Sequence, residues 1–180
     1  DSVFTNIAVF PDRFRRDERS KSGVAASAAL GPDGFRLQRD SWWKMEASER
    51  AYLARVFLRE SLVLLHARNR PGFVAVSDGK GKLGEQELDF VRVWLDGMTC
   101  WLRLDPTTNR ILAVRYRGRV AGMIGTVVKL QSDFRDVEGL SIPFAASLSF
   151  DGNPIPGSER TLDAVTINGK VDSTIFQPPK

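Results

Sequence analysis

Apolar and polar residues alternate along most of this chain, and the period is two nearly everywhere. The cleanest run sets Leu140, Ile142, Phe144, Ala146, Leu148 and Phe150 against Ser141, Pro143, Ala145, Ser147 and Ser149. Neighbouring side chains of a strand point to opposite faces, so this run predicts an antiparallel strand with one buried and one wet side. Pro143 has no N–H for a ladder, which puts it at an edge or a bulge. Phe35 and Leu37 alternate with Arg36 and Gln38 in the same way, and residues 24–30 are small and apolar. Strands are also predicted over 73–77, 83–95, 98–104, 111–117, 124–134 and 162–167, with two extended pieces in 2–16 that meet at Pro11-Asp12. The breaks between them are Gly31-Pro32-Asp33-Gly34, Asp78-Gly79-Lys80-Gly81, Asp96-Gly97, Asp105 to Asn109 and Asp136 to Gly139. Each supplies the preset or positive φ that a turn needs. Phe176 is expected to tuck down the tail ahead of Pro178-Pro179.

One stretch has a different period. Leu53, Val56, Phe57, Glu60 and Leu64 recur at helical spacing, and Leu62, Val63 and Leu65 widen the stripe. Ser48 serves as an N-cap, Glu49 suits the positive end of the helix dipole, and Pro71-Gly72 stops the helix after Arg68 and Arg70. So wide a stripe predicts packing on a sheet face. The fold class is therefore α+β, a highly curved antiparallel sheet wrapping one long helix, with residues 1–180 as a single domain.

Composition changes this picture little. The chain has 180 residues, 42% hydrophobic and 27% charged, enough for one full core and unlike a disordered segment. No run approaches the roughly 18–20 apolar residues of a membrane helix. No secretory signal is visible ahead of the first strand. The lone Cys100, between Thr99 and Trp101, reads as a small buried hydrophobe. Arginine supplies much of the net charge of +4, clustered at Arg13, Arg15, Arg16 and Arg19 and again at Arg115, Arg117 and Arg119. A period of two puts several on one strand face. Such a face can attract phosphate, or it can simply be solvated, with Asp12, Asp17 and Glu18 balancing the first cluster.

Catalytic chemistry is sparse. His66 is the only histidine, so a zinc site of His and Cys has two candidate ligands in the whole chain. No nucleophile-elbow glycine pattern accompanies any serine. Gly79-Lys80-Gly81-Lys82 lacks the phosphate-loop spacing and a following helix, and reads as a hairpin turn. Asp133, Asp136 and Glu138 could meet as acid and base, but turn hydrogen bonding accounts for them. No enzyme, cofactor or metal is expected. Trp42 and Trp43 stand side by side before the helix, where one can pack inward while the other lines a mouth.

Several segments in order resemble the lipoprotein-carrier (LolA/LolB-like) superfamily, and more closely a related region attached to some bacterial insulinase-type metalloproteases. They are Leu102-x-Leu104-Asp105-Pro106-x-Thr108 with Ile111-Leu112 and Tyr116, then Ser132-Asp133-Phe134-Arg135-x-Val137-x-Gly139-Leu140-x-Ile142-Pro143-Phe144. Val165-x-Ile167-Asn168 and Val171-Asp172 with Phe176 and Pro179 follow, and Phe10-Pro11-Asp12-Arg13-Phe14-Arg15 lies upstream. The resemblance implies an open half-barrel with helices on its concave side, in the periplasm or cell envelope. It implies non-covalent binding of an acyl chain, lipid or lipoprotein. The zinc motif of the protease-associated form is not in this chain, so peptidase activity is not carried over. On this reading Trp42, Trp43, Phe57, Phe90, Phe144 and Leu148 line the ligand. The alternative is an interaction or structural module with a filled core, using a protein partner. Peripheral membrane contact stays open, and nucleic acid is not expected.

Overall fold

The computed structural model describes residues 3–20, 23–30, 33–38 and 41–177. The chain divides into two compact units, one of Asp1–Ala67 with Gly169–Lys180 and one of Arg68–Asn168. Where the sequence predicts one sheet, the strands hydrogen-bond as two, and both are antiparallel and open.

The first unit holds β1 (Val3–Val9), β2 (Arg13–Ser20), β3 (Gly23–Leu30), β4 (Asp33–Gln38) and β5 (Ser41–Lys44), paired in chain order. The predicted turn at Gly31-Pro32 and the tail at Pro178-Pro179 lie outside the described residues. Two helices follow, α1 (Ala47–Leu58) and α2 (Ser61–Ala67). The single long helix is thus corrected to two short ones. Glu60 N–H donates to the Phe57 carbonyl at 2.9 Å, three residues back, and Leu64 N–H then picks up Glu60 at 2.9 Å. That tightened turn ends one helix and starts the next. The start also differs: the N-cap is Glu46, whose N–H bonds the Glu49 carboxylate at 3.1 Å. Ser48 lies inside the first turn.

Both faces of this small sheet are used. Phe14 of β2 stacks on Phe57 of α1 at 4.3 Å, and Arg36 of β4 pairs with Glu49 at 2.9 Å. On the other face Arg15 donates to the carbonyl of Ile175, in a 3-10 turn Ser173–Phe176 that buries Phe176 to 1% exposure. Phe176 therefore pins the tail as expected.

The second unit is an eight-stranded sheet. It contains β6 (Val74–Leu83), β7 (Gln86–Leu95), β8 (Met98–Leu104), β9 (Ile111–Val120), β10 (Met123–Val137), β11 (Leu140–Phe150) and β12 (Asn153–Pro154), in that order. A short β13 (Arg160–Thr161) also pairs with β11, in place of the longer strand predicted over 162–167. Asp96-Gly97, Glu138-Gly139, Asp151-Gly152 and Ala121-Gly122 all have positive φ at both residues, which sharply twisted two-residue hairpins demand. The predicted turn at Asp78 to Gly81 is a bulge instead. β6 runs straight through it, the register slips between Ser77 and Lys80, and the chain reverses at Gly84. Gly79 at φ 87° serves a bulge as well as it would a turn. Pro143 does lie beside an irregularity: Asp133, one place from its partner Phe134, has φ 50° and drops out of the ladder.

Candidate ligand-binding faces

Antiparallel partners share a face, so the register of the eight-stranded sheet shows which side chains lie together. One row runs Leu148–Lys129–Val114–Leu102–Val91 across β11 to β7. The next row on that side is Phe150–Val127–Tyr116–Cys100–Val93. Ile142, Phe144, Leu95 and Met98 complete an apolar face whose centre is shut off from water, with Cys100 and Val114 both at 0% exposure. Burial of each aliphatic side chain there contributes roughly 1.5–3 kcal/mol. Toward the rim, Leu148, Phe150, Tyr116 and Val91 are only half-buried.

The opposite face is written by the residues in between. Its rows are Ser147–Leu130–Ala113–Arg103–Phe90 and Ser149–Val128–Arg115–Trp101–Arg92–Val76. Each aromatic here has a guanidinium over its ring: Arg115 on Trp101 at 5.3 Å, Arg103 on Phe90 at 5.5 Å, and Arg92 on Trp94 at 5.1 Å. Arg92 also binds Asp78 at 2.6 Å. Partial burial, and then the charge of Arg115, hold the Arg103 guanidinium below its ordinary pKa.

The six residues expected to line a ligand do not share a face. Phe144 and Leu148 lie together on the apolar face, the first buried under Arg135 at 4.4 Å and the second at the rim. Phe90 belongs to the arginine face, because its row ends at Ser147, the neighbour of Leu148. In the first unit Trp42 pairs with Leu37 and Trp43 with Arg36, so the two tryptophans point to opposite sides of the small sheet. Trp42 lies 5.8 Å from Arg15, Trp43 is 60% exposed, and Phe57 is buried against Phe14 and Arg16. Adjacent or odd-spaced strand residues diverge by geometry alone. The arginine cluster at 115–119 was visible from its spacing. That Arg92 and Arg103 join it needed the register.

The candidate acid–base groups do local structural work. Asp133 receives two bonds from Arg135, at 2.6 and 3.2 Å, and this hydrogen-bonded pair holds its carboxyl below the usual range. Asp136 accepts from Gly139 N–H at 3.1 Å. Asp105 accepts from the N–H groups of Thr108 and Thr107, which lowers its pKa and closes the β8–β9 turn. His66 stacks on Phe10 at 3.8 Å.

Two solved structures follow this chain over nearly its whole length. A LolA superfamily protein from Nitrosomonas europaea gives a TM-score of 0.60 at 10% identity, covering 97% of this chain and 80% of its own. A domain described as an outer membrane lipoprotein-sorting protein, from Vibrio parahaemolyticus, gives 0.58 at 9% identity, with 96% and 79% covered. The fold is LolA-like. It agrees with the superfamily that the motifs of the second half resemble, while the likeness to a metalloprotease-associated region finds no support in it. No protein-family model and no curated protein matches the sequence. At such identities the LolA likeness lies in the backbone, and any binding residue has to be argued from this chain's own faces.

Proposed function

We propose that this is a non-catalytic carrier protein of the bacterial envelope that holds an apolar ligand against the apolar face of its eight-stranded sheet. The ligand is an acyl chain, a lipid or the lipid-modified end of a lipoprotein. The observation behind this reading is the LolA-like fold combined with a largely apolar face, interrupted by Lys129 and Gln131, whose rim stays half-open. Phe144 and Leu148 line the ligand, joined by Val91, Tyr116 and Phe150 at the rim. An alkyl chain laid along such a face is held by burial, at about 0.8 kcal/mol per methylene, and needs no specific polar partner. Among the described residues no helix is long and apolar enough to cross a membrane. The site of action assigned by this reading is the periplasm.

The test is native mass spectrometry on protein purified without detergent, followed by solvent extraction. A discrete mass excess that extracts as lipid is the expected result. A clean apo mass, unchanged after incubation with fatty acids and lipopeptides, would overturn the carrier reading in favour of a module with a filled core.

A further inference from the structure

We propose that the arginine face of the eight-stranded sheet is a docking surface for an anionic phospholipid bilayer. Across β7, β8 and β9 the ionisable side chains on this face are Arg92, Arg103, Arg115, Arg117 and Arg119, with no carboxylate among them. Asp78 from β6 occupies Arg92. Among the described residues, no carboxylate lies within ion-pair reach of Arg103, Arg115, Arg117 or Arg119. Like charges gathered on adjacent strands repel, as Arg103 and Arg115 do, and a surface of opposite charge relieves that repulsion.

What surrounds the arginines selects the partner. Val74, Val76 and Ile124 share this face through their cross-strand partners Trp94, Arg92 and Arg119. They are 49%, 42% and 56% exposed, and Met123, beside Ile124 at the β9–β10 hairpin tip, is 61% exposed. Exposed aliphatic side chains among cations, with tryptophans between them, suit the headgroup boundary of a bilayer, where the arginines meet phosphates and the aliphatics enter the acyl layer. A single-stranded nucleic acid would instead want bare ring faces for its bases. Here the rings of Trp101, Phe90 and Trp94 already have guanidinium groups over them. The proposal concerns the face opposite the one assigned to the ligand, so either can fail without the other.

Vesicle sedimentation with the full chain tests it. The protein is expected to sediment with vesicles of equal parts phosphatidylglycerol and phosphatidylcholine, to stay in solution with phosphatidylcholine alone, and to be released by salt. Each arginine at an anionic surface contributes roughly fivefold, so Arg115→Gln, Arg117→Gln and Arg119→Gln together should weaken binding roughly a hundredfold. The same three positions changed to Lys should keep it within a few-fold, because a bilayer needs the charge and not the guanidinium fork. Thermal melts of both triple variants confirm that they fold. Equal binding to neutral vesicles, or a Gln variant that binds like the parent, would overturn the proposal. So would displacement from the vesicles by inorganic phosphate or a short single-stranded oligonucleotide at matched ionic strength, since either would make the ligand free phosphate or nucleic acid.

Discussion

The two faces of the eight-stranded sheet come from the same strands, residue by residue in turn, and they have been given different work. Val114 has no exposed surface, while Arg115, the next residue, reaches solvent beside Trp101. Cys100 is fully buried, while Trp101 is half-open under a guanidinium. Packing dominates one side, whereas the other carries the arginines around a buried patch that includes Ala113 and Leu88. Where the exposed arginines alternate with buried aliphatics, stability and recognition can change independently, because a substitution on one face leaves the other's contacts in place.

The largest test of that separation is a pair of neighbours. Val114→Arg puts a charge into the closed centre of the apolar face and should cost about 4 kcal/mol or more, or prevent folding. Arg115→Gln should stay within about 0.5 kcal/mol in the same urea titration. Similar losses from both would mean that the arginine face is core after all. Next in size, Phe144→Ala should cost about 3 kcal/mol through the cavity it leaves, against roughly 1–2 for half-buried Phe90→Ala. Equal values would erase the distinction between the faces.

Two smaller effects touch neither face. Ala121 has φ 49° at the hairpin tip, a conformation glycine adopts without strain. Ala121→Gly is therefore expected to raise the melting midpoint slightly, by up to about 1 kcal/mol of stability. The smallest effect is on pH dependence. Asp105 has its pKa lowered by the Thr108 and Thr107 amides, so its ionised form adds stability above the unfolded carboxylate's value of about 3.9. That contribution fades as the pH falls through the lower folded value. An Asp105→Asn variant should melt below the parent near neutrality and converge with it in acid. A gap that widens in acid would show that the carboxylate is not stabilised as its hydrogen bonds imply.

Much of this was legible in the alternation itself. The Asp96-Gly97 hairpin, buried Cys100, the irregularity beside Pro143 and the anchoring of Phe176 all follow from single-residue chemistry. The break at Arg59-Glu60 does not. Phe57, Ser61 and Leu64 keep helical spacing straight across it, with no Pro or Gly to mark the interruption. Gly79 was ambiguous for a physical reason, since a bulge and a turn ask the same φ of it. The ligand-lining residues were the least legible part. Choosing large apolar side chains by type ignores parity, and parity put Phe90 on the far side from Phe144. Only the pairing register, a property of several strands at once, settles which face a residue joins.

The order of segments along the chain bears on how the protein assembles. Strands β6 to β12 pair in chain order, each with the next, so that sheet can zip up from local hairpins with little loop entropy to overcome. The five-stranded sheet also pairs in chain order, yet it must wait for its last contact. Its Arg15 is met by Ile175, and Phe176 is buried in the same 3-10 turn, yet about a hundred residues of the other unit come between. During synthesis the portion made first would be closed last, leaving the first strands unsealed while the arginine-bearing sheet is already complete.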